Sequence, residues 1–177
     1  DVLVNNAGFG ELGRFWRIST DRQLDMIRLN IEALVHLTHL FLAGMLKRER
    51  GRILNVGSTA AFQPGPNMAV YYATKAFVLS FSEALAEELK RTVVTVTCLC
   101  PGPTETGFGA DSGIDKSALF KMGTMDARRV AKAGLRGMRR GKAIVIPGMT
   151  NRFVAGLVRF VPRFMVRKVV ARLQKVK

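Results

Sequence analysis

Arg52-Ile53-Leu54-Asn55-Val56-Gly57-Ser58 is the stretch on which the fold turns. Ile53, Leu54 and Val56 make it almost continuously apolar, and Gly57-Ser58 stops it. A strand with one wet face alternates apolar and polar residues; a strand buried on both faces does not. The same grammar recurs along the chain. Val2-Leu3-Val4 runs into Asn5-Asn6-Ala7-Gly8, Val93 to Leu99 runs into Pro101-Gly102-Pro103, and Ala143-Ile144-Val145-Ile146 runs into Pro147. Helical patterns separate these strands. The first starts at a cap among Ser19, Thr20 and Asp21 and runs to Arg48, with Leu24, Ile27, Ile31, Leu34 and Leu37 as its apolar stripe. Others span Val70 to Lys90 and Asp126 to Arg140, and a last one, interrupted near Pro162, closes the chain. Strands alternating with helices predict an α/β fold whose parallel sheet is covered on both faces. Such sheets bind ligands beyond the carboxyl ends of their strands, where Asn5 to Gly8, Gly57-Ser58 and Pro101 to Thr106 all fall. The Gly-rich residues 104–124 predict a mobile loop or short helices.

The chain has 177 residues, enough for one domain with a sizeable core. Cys98 and Cys100 share one face of a strand and read as reduced core residues. His36 and His39 are joined by no carboxylate or cysteine pattern, so no metal site is expected. The charge is unevenly placed. Residues 1–126 hold 13 basic and 13 acidic residues, and all of the +15 excess follows Asp126, beyond which there is no acidic residue. A neutral body with a basic tail points to a local partner surface rather than diffuse nucleic-acid affinity. No uncharged apolar run reaches the roughly 18 residues of a transmembrane helix.

Tyr71-Tyr72-Ala73-Thr74-Lys75 carries the chemistry. A carbonyl oxygen that gains charge as hydride arrives needs a proton donor. A free Tyr titrates near ~10, and a neighbouring Lys⁺ favours its phenolate. Tyr71 is four residues and Tyr72 three residues before Lys75, so helix geometry alone leaves both open. Ser58 can hydrogen-bond a substrate oxygen, and Asn30 can hold a water that feeds protons to Lys75. Each has a duller reading: Ser58 as a cap, Asn30 as surface polar, Tyr71 as a rim aromatic.

Taken in order, Asn5-Asn6-Ala7-Gly8, Asn30, Ser58, Tyr71-x-x-x-Lys75 and Pro101-Gly102-Pro103-Thr104-Glu105-Thr106 resemble the short-chain dehydrogenase/reductase family. The resemblance covers the chain up to Pro147. It implies a Rossmann-like doubly wound sheet and hydride transfer between NAD(P) and a carbonyl or secondary alcohol. Tyr71 is then the acid/base, in preference to Tyr72, with Lys75, Ser58 and Asn30 completing the catalytic set. Asn5, Ala7, Gly8, Tyr71, Lys75, Pro101, Gly102, Thr104 and Thr106 would line the cofactor. Ile146-Pro147-Gly148, Asn151-Arg152 and Pro162-Arg163 look like a subgroup of broad-specificity bacterial reductases, which implies NADP ahead of NAD. A homo-oligomer paired through the helices of Asn30 and Tyr71 is also implied; the expected location is the cytoplasm, or the membrane periphery through the basic residues of 151–177.

One family element has no match. The Gly-rich T-G-x-x-x-G-x-G turn, whose backbone N–H groups meet the cofactor pyrophosphate, is absent from these residues. Asp1 opens inside an apolar strand without an initiator Met. The expectation is therefore the carboxyl-terminal part of the family sheet, its strands 4 to 7, lacking on the order of 70–80 residues at ~30 per βα unit. Such a chain would turn over little by itself; a non-catalytic membrane-surface or binding remnant is the alternative.

The expected organisation is a partial catalytic domain over 1–150 and a basic amphipathic segment over 151–177. Arg152, Arg159, Arg163 and Arg167 fall within about 80° of one another on a continuous helix. Two readings compete: the apolar side packs over the substrate cleft with Arg in water, or the segment lies on an anionic membrane. A subunit contact is a third, and nothing supports a nucleic-acid module.

Overall fold

The computed structural model describes residues 1–121 and 123–175. Met122 of the predicted loop and Lys177 of the basic tail lie outside the described residues.

The elements follow the predicted alternation: β1 (Val2–Asn5), α1 (Thr20–Ile27), α2 (Leu34–Lys47), β2 (Arg52–Val56), α3 (Ala69–Glu88) and β3 (Thr95–Leu99). Then come short pieces, β4 (Thr104–Glu105), α4 (Phe108–Ser112), α5 (Ala118–Lys121) and β5 (Met125–Asp126). The chain closes with α6 (Ala127–Arg139), β6 (Ile144–Val145), α7 (Met149–Leu157) and α8 (Arg163–Leu173). β1, β2, β3 and β6 form one parallel sheet in that order. Its register pairs Val4 with Leu54, and Leu54 with Thr97. A parallel sheet needs crossovers that cover its faces. Here Leu34, Val78 and Leu79 pack on Cys98 and Cys100 on one side, and Val130 and Met138 of α6 pack on Leu54 and Leu99 on the other. This is the doubly wound α/β arrangement that the apolar strands predict.

Several local expectations change. The fourth strand shrinks to Ile144–Val145, because only Cys98 and Leu99 of β3 find partners there. Residues 104–124 hold a two-stranded parallel pair, β4 with β5, as well as short helices. Between α1 and α2, residues Arg28–Ala33 form a π-helical turn within one continuous run. The apolar stripe of that run is only partly the buried one. Leu24, Ile27 and Leu37 are exposed, whereas Gln23, Met26, Asn30, Leu34, Thr38 and Met45 face inward. The inward face is partly polar, and its Asn30 and Thr38 make specific hydrogen bonds, described below. The run Thr20–Lys47, with mean hydropathy 1.4 over its apolar window, is long and apolar enough to cross a membrane. Its packing against β1 and α3 assigns it instead to the body of the fold.

Pro162 splits the tail in two rather than kinking it. A helix of one phase from Arg152 to Arg167 therefore does not exist, and the common arginine face calculated for it dissolves. Val166 and Val170 of α8 turn inward onto a cluster with Met26, Ala60, Met68, Tyr71, Tyr72 and Ile114.

Candidate active site

The carboxyl ends of β1, β2 and β3 bring the predicted residues together. β1 ends at Asn5, whose amide is buried and donates to Thr38 Oγ1 at 3.0 Å and to Asn55 Oδ1 at 2.8 Å. Asn55 in turn donates to Ser82 Oγ at 2.9 Å. Buried polar groups are tolerated when partnered, and this ladder ties two strands to two helices. The Asn5 side chain therefore steadies the sheet and does not reach the open end. Asn6 and Ala7 are exposed there, and Gly8 follows beside the site.

Asn30 is buried, at 2% exposure, which removes the surface-polar reading. Its amide donates to Phe9 O at 2.9 Å and to Thr74 Oγ1 at 3.0 Å, and its Oδ1 accepts from Phe9 N at 3.1 Å. Asn30 thus clamps the segment after Gly8 to the helix of Tyr71 and Lys75. The π turn supplies its inward aim, a device common where a helix must present one side chain out of phase.

Lys75 is buried and donates from Nζ to Val56 O at 2.9 Å, at the end of β2. Burial lowers its pKa to about 8, with the thiols of Cys98 and Cys100 acting the other way. A Cβ on Gly8 would stand 2.9 Å from Asn30 Oδ1 and 3.5 Å from Lys75 Nζ. A side chain at Gly8 therefore has no room, and the Lys75 ammonium has one protein acceptor for its three donors among the described residues. The remaining Lys75 donors suit hydroxyl acceptors such as those of a nicotinamide ribose.

Tyr71 is buried at 8% exposure, so it is not a rim aromatic. Its pKa is pushed up to about 12 by burial, and the Ser58 hydroxyl counteracts this in part. The expectation that Lys75 lowers it is not met. Lys75 Nζ sits 5.8 Å from the ring centroid, with its hydrogen bond turned to Val56. Ser58 does cap the following turn, accepting from Ala60 N at 3.0 Å, and also acts on Tyr71. The two tyrosines separate clearly. Tyr72 Oη accepts from Gln174 Nε2 at 2.7 Å, and burial together with Tyr71 beside it pushes its pKa well up.

The third strand end is set by Pro101, whose carbonyl accepts from Thr59 N at 2.8 Å. A Cβ on Gly102 would stand 2.6 Å from the Asn151 amide, so α7 rests directly on this turn. Thr104 Oγ1 donates to Gly102 O at 2.9 Å, and Thr106 is exposed. Both histidines are exposed, and no group of three or more metal-ligating side chains occurs among the described residues. Thr38, Asn55, Thr74, Ser82 and Gln174 support the site and were missed from sequence. Only Asn55, a polar residue inside an apolar strand, carried a readable signal.

Comparison with known proteins gives the same frame. The profile of the short chain dehydrogenase family matches residues 1–117. The chain belongs to this family. Among curated short-chain dehydrogenase relatives, the very-long-chain 3-oxoacyl-CoA reductase of Laccaria bicolor is 42% identical over 97 residues, covering 54% of this chain and 29% of that protein. A short-chain dehydrogenase from Sphingobium yanoikuyae, solved in complex with NADPH, superposes with a TM-score of 0.75 at 29% identity, over 92% of this chain and 66% of that one. The 3-ketoacyl-(acyl-carrier-protein) reductase of Brucella melitensis, solved with NADH, gives 0.73 at 25% identity, over 83% and 65%. The chain thus spans well under half of the Laccaria relative and about two thirds of these solved ones.

Proposed function

We propose that the protein to which these residues belong is an NAD(P)-dependent reductase of carbonyl groups. The observation that carries this reading is the convergence of Tyr71, Lys75 and Ser58 at the strand ends, with Lys75 Nζ keeping donors that no protein acceptor takes up among the described residues. Lys75, Gly8, and the turn from Pro101 to Thr106 would hold the nicotinamide end. When bound, the nicotinamide supplies a hydride to the carbonyl carbon. Ser58 orients the carbonyl oxygen. Tyr71, protonated because burial holds its pKa at about 12, gives the phenolic proton to that oxygen, which closes the balance as an alcohol. Asn30 fixes the helix and the turn that position Tyr71 and Lys75.

The walls near Tyr71 are apolar: Phe9, Met68, Phe108 and Ile114 belong to one cluster with it. They favour a lipophilic ketone. NADP is favoured over NAD on the subgroup resemblance alone. Exposed Leu29, Leu40, Phe41 and Phe77 on the run Thr20–Lys47 and on α3 supply a surface for pairing two subunits. Two buried, reduced cysteines fit a cytoplasmic setting. Residues 1–150 make the catalytic part and 151–177 its closing segment. Without a Gly-rich pyrophosphate turn, the 177 residues alone would bind cofactor weakly and turn over little.

The test is NADPH and NADH oxidation with a panel of ketones, run on the complete protein and on residues 1–177. Turnover by the complete protein only is expected. Robust turnover by the 177 residues would contradict the inactivity of the short chain. Firm cofactor binding without turnover in the complete protein would overturn the reductase reading and leave the non-catalytic remnant.

A further inference from the structure

α7 wears its apolar stripe on the outside. Met149, Phe153 and Leu157 recur every four residues and so share one side of the helix. They are exposed by 88%, 69% and 45%, while Ala155, on the opposite side, is the buried residue. A surface helix of a globular body turns its apolar stripe inward. Phe160, in the connection to α8, is 86% exposed, and Phe164, Met165 and Val169 continue the apolar surface along α8. The inner face of α8 is satisfied separately by Val166, Val170 and Gln174. The packing of α8 onto the Tyr71 cluster leaves a second apolar surface outside it.

The charge around that surface has one sign. Arg152, Arg159, Arg163, Arg167, Lys168 and Arg172 are all exposed, and no acidic residue follows Asp126. The recorded ion pairs all lie between Asp1 and Lys90, so among the described residues no cation of this segment is paired to protein. Aromatic side chains reaching outward among unpaired arginines match the two layers of a lipid surface, acyl chains below anionic headgroups. A protein partner of ordinary composition would need a matching acidic rim, and a second copy of this segment would oppose cation to cation.

We infer that the outer face of α7 and α8 docks on an anionic lipid surface. This goes beyond the reductase reading and does not depend on turnover. The inner side of α8 packs on the cluster that holds Tyr71, through Val166 and Val170. Docking would then place the cleft close to membrane-dissolved substrate.

Co-sedimentation of the 177-residue chain tests this. The vesicles are equal parts phosphatidylglycerol and phosphatidylcholine, or phosphatidylcholine alone. Two variants use exposed positions, Phe153→Ser/Phe160→Ser and Arg159→Gln/Arg167→Gln, each with its fold checked by circular dichroism. Binding is expected on the anionic vesicles, weakened by salt. Each Phe replaced should lower partitioning on the order of tenfold, and each Arg replaced on the order of fivefold. Equal partitioning of wild type and both variants overturns the inference. So does a chain that ignores vesicles while Phe153→Ser/Phe160→Ser converts a dimer to a monomer in size-exclusion chromatography, which would assign the face to a second copy. Tighter binding to duplex DNA than to the anionic vesicles overturns it as well.

Discussion

Gln174 donates from its side-chain amide to the Tyr72 phenol at 2.7 Å, across 102 residues of sequence. Its backbone carbonyl also accepts from Asn67 Nδ2 at 2.8 Å, so this one residue fastens the end of α8 to the start of α3. Tyr72 is thereby a structural tyrosine, and the neighbour that packs edge to face with it, Tyr71, is left free for chemistry.

Replacing Gln174 with Ala leaves a buried phenol without its donor. The cost should be about 1–3 kcal/mol of stability, the usual penalty for a buried polar group that loses its partner. Thermal unfolding of the 177-residue chain measures it. An unchanged midpoint would mean that α8 is not fastened in solution.

The two tyrosines should respond oppositely in the complete protein. Tyr71→Phe removes the proton donor and should lower kcat by roughly 100- to 10,000-fold, with cofactor affinity retained. Tyr72→Phe should keep most turnover and lose stability, because Gln174 Nε2 then faces a ring without an oxygen. The assignment fails if Tyr72→Phe is the inactive enzyme and Tyr71→Phe is not.

The strand ends were legible because parallel strands are apolar throughout and their breakers are Gly and Pro. Asn5, Gly8, Ser58 and Pro101 were located that way. The orientation of the helix carrying Asn30 was not. Hydrophobic periodicity assumes that the apolar stripe is the buried one, and Leu24, Ile27 and Leu37 are outside. The inward face is chosen by hydrogen bonds of Thr38 and Asn30, and a π turn shifts the phase between them. The protonation of Tyr71 was misjudged for a related reason. Four residues on a helix bring Lys75 near the ring, but burial, invisible in sequence, governs both pKa values. The Gln174 contact joins residues 102 apart and has no local signature at all.

Gly8→Ala should disturb the turn beside Lys75 without touching Tyr71. The new methyl would press on Asn30 Oδ1 at 2.9 Å, and Asn30 is held by three hydrogen bonds, so it cannot step aside cheaply. A stability loss of about 1–3 kcal/mol is expected from overpacking, together with weaker NADPH binding by the complete protein in fluorescence titration. Wild-type affinity and stability would show that Asn30 and the Gly8 turn yield to the methyl without cost.

Lys75 should leave a mark on the pH dependence of stability. Its pKa is about 8 in the fold against 10.5 when exposed. Between those values the unfolded chain holds a proton that the folded chain has released, so stability rises with pH through this window. Below about 8 both states are protonated and the fold carries a buried charge. Tyr71 acts in the opposite sense and higher up: raised from 10.0 to about 12, it keeps its proton in the fold while the unfolded chain loses it, so stability falls as pH climbs through that range. Cys98 is held down in part by Lys75, and both thiols act back on Lys75, so the difference between wild type and Lys75→Met reports Lys75 together with its coupling to these thiols. Urea unfolding at pH 7.5, 8.5 and 9.5 should show wild type gaining on Lys75→Met as pH rises. Parallel curves would mean that Lys75 keeps an ordinary pKa, and that burial is not what sets its charge in the site.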